Sequence, residues 1–254
     1  MSRNVKRVTR DSINSLLNVV DVELVKKKKY FSDYRDYIPL QETVEAARQA
    51  NMSVGDYIDF QHNEPGATQK TIDKLKELGV FDTNIDKVCE IGPGSGRYLE
   101  KIFQICGPDC YEIYETSDEW AKWLVSNYPI VEQPTDGSSL LGTPSDSMDL
   151  VHTHKVLPGQ PSLVICRYYL EMIRVVRKGG KIVFDIVTEQ CMEDDMLDSW
   201  LRAGAGYQHY PCLVPRQFTI DFFGSRGFSF DGDFLVRMKP GWTNYFAFTN
   251  IDSK

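Results

Sequence analysis

A chain of 254 residues with 42% hydrophobic and 26% charged side chains can bury a core that needs no disulfide or metal staple. Its formal net charge of −7 argues against a nucleic-acid binder, which would carry a basic face, but leaves room for a local basic pocket. No apolar run approaches the roughly 20 residues of a membrane span.

The six cysteines contain no Cys-x-x-Cys pair, and Cys106 and Cys110 have no neighbouring histidine to complete a zinc set. No metal is expected. With Cys89 inside an apolar run and a polar, basic start to the sequence, reduced cysteines and a cytoplasmic location are expected.

In chain order, Ser12 to Val20 shows a helical apolar pattern, followed by the lysine run Lys26 to Lys29, read as a solvated face. A second helical stretch follows Leu40-Gln41-Glu42-Thr43. A third follows Pro65-Gly66-Ala67-Thr68, with Ile72, Leu75 and Leu78 at helical spacing and Gly79 closing it. Residues 1–80 are thus expected as a helical extension, and 81–254 as the main domain. From residue 86 the pattern alternates. Lys87 to Ile91 reads as a strand, Tyr98 to Ile105 as a helix, and Cys110 to Glu115 as a strand. Glu119 to Asn127 reads as a helix, Pro129 to Glu132 as a weak strand, and Met148 to His152 as a fourth. Ser162 to Val176 is an amphipathic helix closed by Lys178-Gly179-Gly180, and Lys181 to Val187 an apolar strand buried on both faces. Helices are expected near Asp194 to Ala203 and from Arg216 to Ser225. Two strands then follow, around Phe228 to Val236 and Asn244 to Phe248, forming an antiparallel hairpin across Lys239-Pro240-Gly241. The fold class is α/β: a Rossmann-like, seven-stranded, mostly parallel sheet with an antiparallel terminal hairpin.

The first strand runs into Glu90-Ile91-Gly92-Pro93-Gly94-Ser95-Gly96. Glycines between a strand and a helix N-terminus let the backbone approach a nucleotide-like ligand, and the helix end offers unpaired N–H groups. A dinucleotide site needs a third glycine where Arg97 stands, and a triphosphate loop needs Gly-Lys-Ser/Thr. Neither fits. Glu115 lies 115 − 96 = 19 residues beyond the last glycine, where a carboxylate can accept from both ribose hydroxyls. Glu112 alternates to the other side of the strand and is the weaker candidate.

Glu-x-Gly-x-Gly-x-Gly after the first strand resembles motif I of class I S-adenosylmethionine-dependent methyltransferases. The resemblance extends through Thr135 to Leu140, Ser147 to His152 and Val175 to Lys181, covering about residues 86–250. It implies S-adenosylmethionine as cofactor and S-adenosylhomocysteine as product. It also implies that Glu90, Gly92, Gly94 and Gly96 hold the methionine part. Glu115, with Thr116, would bind the ribose, and Asp136, Gly137 and Ser138 the adenine, with His152 lining the pocket.

Methyl transfer is an in-line displacement, so the protein must align the acceptor and, for a hydroxyl, take its proton. His152 and His154, at the end of the fourth strand, are candidate catalytic residues. Of the two, His154 is the preferred base and His152 the one nearer the cofactor. His154 to Pro158 does not match the Asn-Pro-Pro-Tyr type motif, which argues against amino methylation of adenine or glutamine. Ser53 to His62 and Tyr207 to Pro211 mix Tyr, His and Asp. In this family such segments set specificity, so Tyr57, His62, His209, Tyr210 and Arg216 are substrate candidates. The adjacent acids Glu193-Asp194-Asp195 are read as a helix-start charge cluster, not a metal site. The expected activity is O-methylation of a small polyhydroxylated or saccharide- or glycolipid-type acceptor. An N- or carboxyl-methyltransferase, a silent cofactor-binding module and an NAD-dependent oxidoreductase remain open, as does a homodimer.

Overall fold

The computed structural model describes residues 38–193, 198, 212–238 and 241–251. The chain divides into two units, Met1–Asp33 and Tyr34–Lys254, and every described residue belongs to the second. The expected helix at 12–20, all of the expected helix at 194–203 except Asp198, the Lys26 to Lys29 run, His209 and Tyr210 therefore lie outside the described residues.

Three helices come first: α1 (Leu40–Gln49), α2 (Val54–His62) and α3 (Ala67–Glu77). Ser53 begins α2 by accepting the backbone N–H of Asp56 at 3.1 Å, filling one of the donors a helix start leaves open. The sheet then builds from β1 (Lys87–Ile91), β2 (Cys110–Tyr114), β3 (Val131–Glu132), β4 (Met148–Thr153), β5 (Val176–Ile186), β6 (Phe228–Met238) and β7 (Gly241–Asn250). Its helices are α4 (Arg97–Cys106), α5 (Asp118–Asn127), α6 (Ser162–Val175) and α7 (Arg216–Gly224). The spatial order is β3-β2-β1-β4-β5-β7-β6. Pairing is parallel from β3 to β5, whereas β7 is antiparallel to both β5 and β6. The seven-stranded, mostly parallel α/β sheet with its terminal hairpin matches the expectation from sequence.

One boundary differs. The Lys178-Gly179-Gly180 segment is not the end of a helix but part of β5, which begins at Val176. The β4–β5 register passes from Met148 opposite Val176 to Leu150 opposite Lys181, so residues 177–180 of β5 face the single residue Asp149 and three of them are in excess. Gly179 takes φ +75°, and a Cβ on Gly180 would crowd Arg177 O and Met148 O, each at 2.9 Å. Glycine thus serves the bulge rather than a cap.

Apolar side chains fill both sides of the sheet. On one side Ile165, Tyr169 and Met172 of α6 and Phe223 of α7 meet Phe184, Phe246 and Phe248. On the other, Ile72 and Leu75 of α3, Leu99 and Ile102 of α4 and Leu124 of α5 cover Val88, Ile113, Leu150 and Val183. Phe223 stacks on Phe248 with centroids 4.4 Å apart, and each such buried ring contributes about 1.5–3 kcal/mol. This three-layer packing fixes where β1, β4 and β5 end, and every candidate site residue on the sheet lies at or beside those ends.

Candidate functional site at the carboxyl ends of the strands

The glycine turn after β1 depends on backbone conformations that other residues avoid. Gly92, Gly94 and Gly96 have φ of 64°, 53° and 75°, all in the left-handed region. Space is closed as well, since a Cβ on Gly92 would collide with Val156 Cγ2 and one on Gly96 would sit 2.6 Å from Leu124 Cδ2. Gly96 is the N-cap of α4, without a side-chain cap of its own. Glu115, just beyond β2, holds the turn from outside. Its Oε2 accepts the Gly94 N–H at 2.7 Å and its Oε1 accepts the Ser117 N–H at 2.8 Å. Burial raises the Glu115 carboxyl above its usual range, while the Ser117, Gly94 and Thr116 N–H groups pull it back.

Glu90 points into the sheet interior beside His152, its register partner on β4. The Tyr111 hydroxyl donates to Glu90 Oε2 at 2.7 Å and lies 2.9 Å from His152 Nε2. The Tyr111 hydroxyl thus bridges Glu90 and His152, and His152 Nδ1 lies 3.9 Å from Glu90 Oε1. Burial pushes the Glu90 carboxyl up to about 8, with the Tyr111 bond opposing, and brings His152 down to about 3. Both are therefore uncharged at neutral pH in the ligand-free protein.

Beyond β4 the chain turns sharply, with Lys155 at φ 63°. Its N–H donates to Asp185 Oδ1 at 2.7 Å, and its ammonium lies 3.3 Å from Asp185 Oδ2 and 2.6 Å from Thr243 Oγ1. His154 is buried and stacked on Tyr98, with ring centroids 3.5 Å apart and planes 9° apart. Its Nδ1 lies 3.3 Å from the Tyr245 hydroxyl. Burial holds His154 well below the usual histidine range, aided by the charges of Arg97 and Lys155 nearby. The Arg97 cation is paired at 2.8 Å with Asp59 of α2, so the helical segment before β1 is tied to the first residue of α4.

Among the described residues, the buried side-chain polar atoms without a hydrogen-bond partner include Ser95 Oγ, His152 Nδ1, His154 Nε2 and Asn244 Oδ1, while Asp185 Oδ2 has only the Lys155 ammonium at 3.3 Å. Each unmade bond of this kind costs about 1–3 kcal/mol, and such groups are rare away from functional sites. Here they belong to the glycine turn and the adjoining ends of β4, β5 and β7.

The remaining sequence candidates are placed as follows. Asp136 turns inward on its own loop, accepting from Ser138 and Ser139 N–H at 2.8 and 2.7 Å and from both hydroxyls. Desolvation opposes ionisation of Asp136, yet those four bonds prevail and lower its pKa. A Cβ on Gly137 would lie 4.0 Å from Thr116 Cγ2, so the loops after β2 and β3 meet. Tyr57 is half-buried on α2, and His62 is exposed at its end. Arg216 gives its guanidinium to Asp233 through two bonds of 2.7 and 2.8 Å, and Asn244 shares that carboxylate. The described residues hold no cluster of three or more groups suited to a metal.

No protein-family model matches the chain, and no curated protein matches it in sequence. Solved structures do. Magnesium protoporphyrin IX methyltransferase from Synechocystis, with bound SAH, superposes with a TM-score of 0.54 at 12% identity, over 96% of this chain and 99% of that one. The N-methyltransferase NodS of Bradyrhizobium japonicum gives 0.52 at 13% identity, over 75% and 99%. An O-methyltransferase family protein of Burkholderia thailandensis gives 0.55 at 15%, over 88% and 70%. The chain has the class I methyltransferase fold.

Ligands of open parallel α/β sheets bind outside the carboxyl ends of the strands, here beyond β1, β4 and β5. Sequence reasoning named Glu90, Glu115 and the histidines there. It missed Tyr98, Tyr111, Lys155, Asp185, Asn244 and Tyr245. One signal was present: Asp185 interrupts the apolar run Ile182 to Ile186, and a charge inside such a strand has to be used.

Proposed function

We propose that this protein is an S-adenosylmethionine-dependent methyltransferase that O-methylates a small polyhydroxylated or saccharide- or glycolipid-type acceptor. The observation that carries the reading is a glycine turn whose backbone conformation and crowding exclude side chains, with Ser95 Oγ in the turn and His152 Nδ1 and His154 Nε2 at and just beyond the end of β4 lacking hydrogen-bond partners. A ligand with matching donors and acceptors would complete them.

The residues fit the cofactor. The bare backbone of Gly92, Gly94 and Gly96 would lie against the methionine part, and Glu90 at the base of the turn would face its ammonium and ionise in response. Glu115 spends one lone pair of each oxygen on backbone N–H groups and keeps others for two ribose hydroxyls. Thr116, Gly137, Ser138 and Asp136 would border the adenine, where the loops after β2 and β3 meet, and neutral His152 would close the pocket floor beside Glu90. When bound, the cofactor supplies an electrophilic methyl group. His154, at the end of β4, would receive the acceptor's proton. Tyr57, His62, His209, Tyr210 and Arg216 remain the candidates for acceptor recognition. The Asp233 carboxylate would hold the Arg216 guanidinium in a fixed plane.

Thermal denaturation with S-adenosylhomocysteine and with NAD tests the cofactor. A ligand at 100 times its dissociation constant stabilises by about 2.7 kcal/mol, so S-adenosylhomocysteine should raise the midpoint and NAD should leave it unchanged. Stabilisation by NAD alone would replace the reading with an oxidoreductase. S-adenosylhomocysteine release is then measured over a panel of glycosides and polyols. Tight binding without turnover on the panel would identify a silent binding module instead. His154→Gln should lower turnover by roughly 10²-fold with cofactor affinity unchanged.

A further inference from the structure

Four consecutive residues at the end of β4 are each fastened to the fold by a different contact. Thr153 Oγ1 donates to the Ile91 carbonyl of β1 at 2.9 Å. His154 stacks on Tyr98 of α4 with centroids 3.5 Å apart, and its ring lies 5.6 Å from that of Tyr245 on β7. Val156 Cγ2 fills the space that a Cβ on Gly92 would enter. Between them, Lys155 has φ 63°, in the left-handed region that Asn51 and Asp146 alone share among the described residues other than glycine. Asparagine and aspartate reach that region because their short polar side chains bond the local backbone. A lysine has no such device, and glycine would make the turn without strain. A strained residue persists where its surroundings over-determine it, and here one carboxylate does so. Asp185 Oδ1 accepts the main-chain N–H of Lys155 at 2.7 Å, and Oδ2 stands 3.3 Å from its ammonium. The ammonium also donates to Thr243 Oγ1 at 2.6 Å and lies over the Tyr245 ring, 5.1 Å from its centroid. Asp185 and Tyr245 are register partners across β5 and β7, so the lysine side chain spans both.

We infer that Asp185 and Lys155 are positioning residues for His154: the carboxylate closes the turn after β4, and the lysine side chain holds Tyr245 beside the imidazole that Tyr98 stacks on. The inference deepens the methyltransferase reading and rests on it for its purpose, though not for its geometry. Asp185 is fully buried and the Lys155 side chain is 15% exposed, so the pair faces the interior, as a support does. A proton acceptor must stand within hydrogen-bond reach of the group it deprotonates, and a misplacement of about 1 Å can cost roughly 10²-fold in rate. Thr153 and Val156 seat the same turn on β1 and Gly92, so the proposed base and the glycine turn share one frame.

Two substitutions at one position separate positioning from stability. Lys155→Ala and Lys155→Gly both remove the ammonium and keep the main-chain N–H for Asp185, but only glycine relieves the left-handed backbone. Lys155→Gly should therefore melt higher than Lys155→Ala, while His154 is displaced alike in both. If the lysine served stability alone, the place of His154 would follow the melting temperature, and glycine would restore what alanine loses.

The readout is the proton–carbon correlation spectrum of the histidine rings in the full-length protein. The chain has four histidines, and His154→Gln assigns the resonance. In the wild type the Tyr98 ring, 3.5 Å away, should shift the His154 ring protons strongly upfield. Lys155→Ala, Lys155→Gly and Asp185→Asn should return them toward ordinary histidine positions while the core methyl signals are kept. Thr243→Val should do so in part, and Thr243→Ser should retain the wild-type shift. If the variants at 155 and 185 fail to fold, the Thr243 pair carries the comparison. Wild-type shifts in folded Lys155→Gly or Thr243→Val, or recovery in Lys155→Gly of what Lys155→Ala loses, would overturn the inference. Calorimetry with S-adenosylhomocysteine keeps the two readings apart: no binding to the wild type would sink the methyltransferase proposal, while the ring shifts judge the support of His154 in either case. With an acceptor from the panel, kcat should fall by roughly 10²-fold in both Lys155 variants while S-adenosylhomocysteine affinity holds. A displaced ring with unchanged kcat would equally overturn the positioning role.

Discussion

Glu90 is a carboxyl group that folding drives toward its protonated form, and this makes folding stability depend on pH. Its usual value of 4.5 rises to about 8 because burial disfavours the charge more than the Tyr111 bond favours it. The folded state therefore holds a proton between those values that the unfolded chain releases, so stability falls as pH rises from 4.5 through 8. His152 works in the opposite sense. Lowered from 6.5 to about 3, it contributes stability that is complete above pH 6.5 and lost as pH falls toward 3. Between pH 6.5 and 8 the histidine contribution is flat, and the buried Glu90 carboxyl sets the slope. Glu90→Gln keeps an acceptor for Tyr111 and should reduce the loss of Tm between pH 6.5 and 8. Parallel melting profiles for variant and wild type would show that Glu90 is not the titrating group. A cationic ligand should ionise Glu90 and release a proton near neutral pH, visible as buffer-dependent binding heat.

At the scale of elements, a short helix is held against the start of another by one buried ion pair. Asp59 of α2 accepts from Arg97 at 2.8 Å, from the Thr68 N–H at 2.7 Å and from the Thr68 hydroxyl at 3.0 Å. The backbones close in at the same place, since a Cβ on Gly55 would sit 2.9 Å from Arg97 Cβ. Removing one member of a buried pair strands the other's charge and typically costs about 3–5 kcal/mol. Asp59→Ala should destabilise by that order in urea unfolding and loosen the glycine turn, since Arg97 directly follows Gly96. A loss under about 1 kcal/mol would mean that Arg97 finds water in place of Asp59.

For the whole molecule, the sheet order predicts where unfolding begins. β4 is buried along its entire length and β7 nearly so, whereas β3 is two exposed residues at one edge. Amide exchange should be slowest in β4 and β7, approaching the global unfolding limit, and fastest among the strands in β3. Exchange from β4 as fast as from β3 would contradict the assignment of the core. β7 lies inside the sheet although it is formed last in sequence, so the ends of the chain's second unit must fold with its middle, a high-contact-order arrangement that should slow folding.

How much of this was readable beforehand depends on whether the signal is local. The apolar runs of β1, β4 and β5, the glycine turn and the acid closing β2 are contained in short stretches, and their periods and spacings were enough to give the fold class and half of the candidate site. The Lys178-Gly179-Gly180 segment misled because glycine serves a helix end and a bulge alike, and only the facing strand β4 distinguishes them. Lys155, Tyr98 and Tyr245 carry no pattern of their own. They come together where α4, β4 and β7 converge, with His154 and Tyr245 91 positions apart in the sequence. The sequence by itself determined the alternation of strands and helices and the place of the glycine turn, since these follow from side-chain periodicity and backbone freedom. Only the tertiary structure decided which buried groups meet, because α4, β4, β5 and β7 bring together side chains far apart in the sequence.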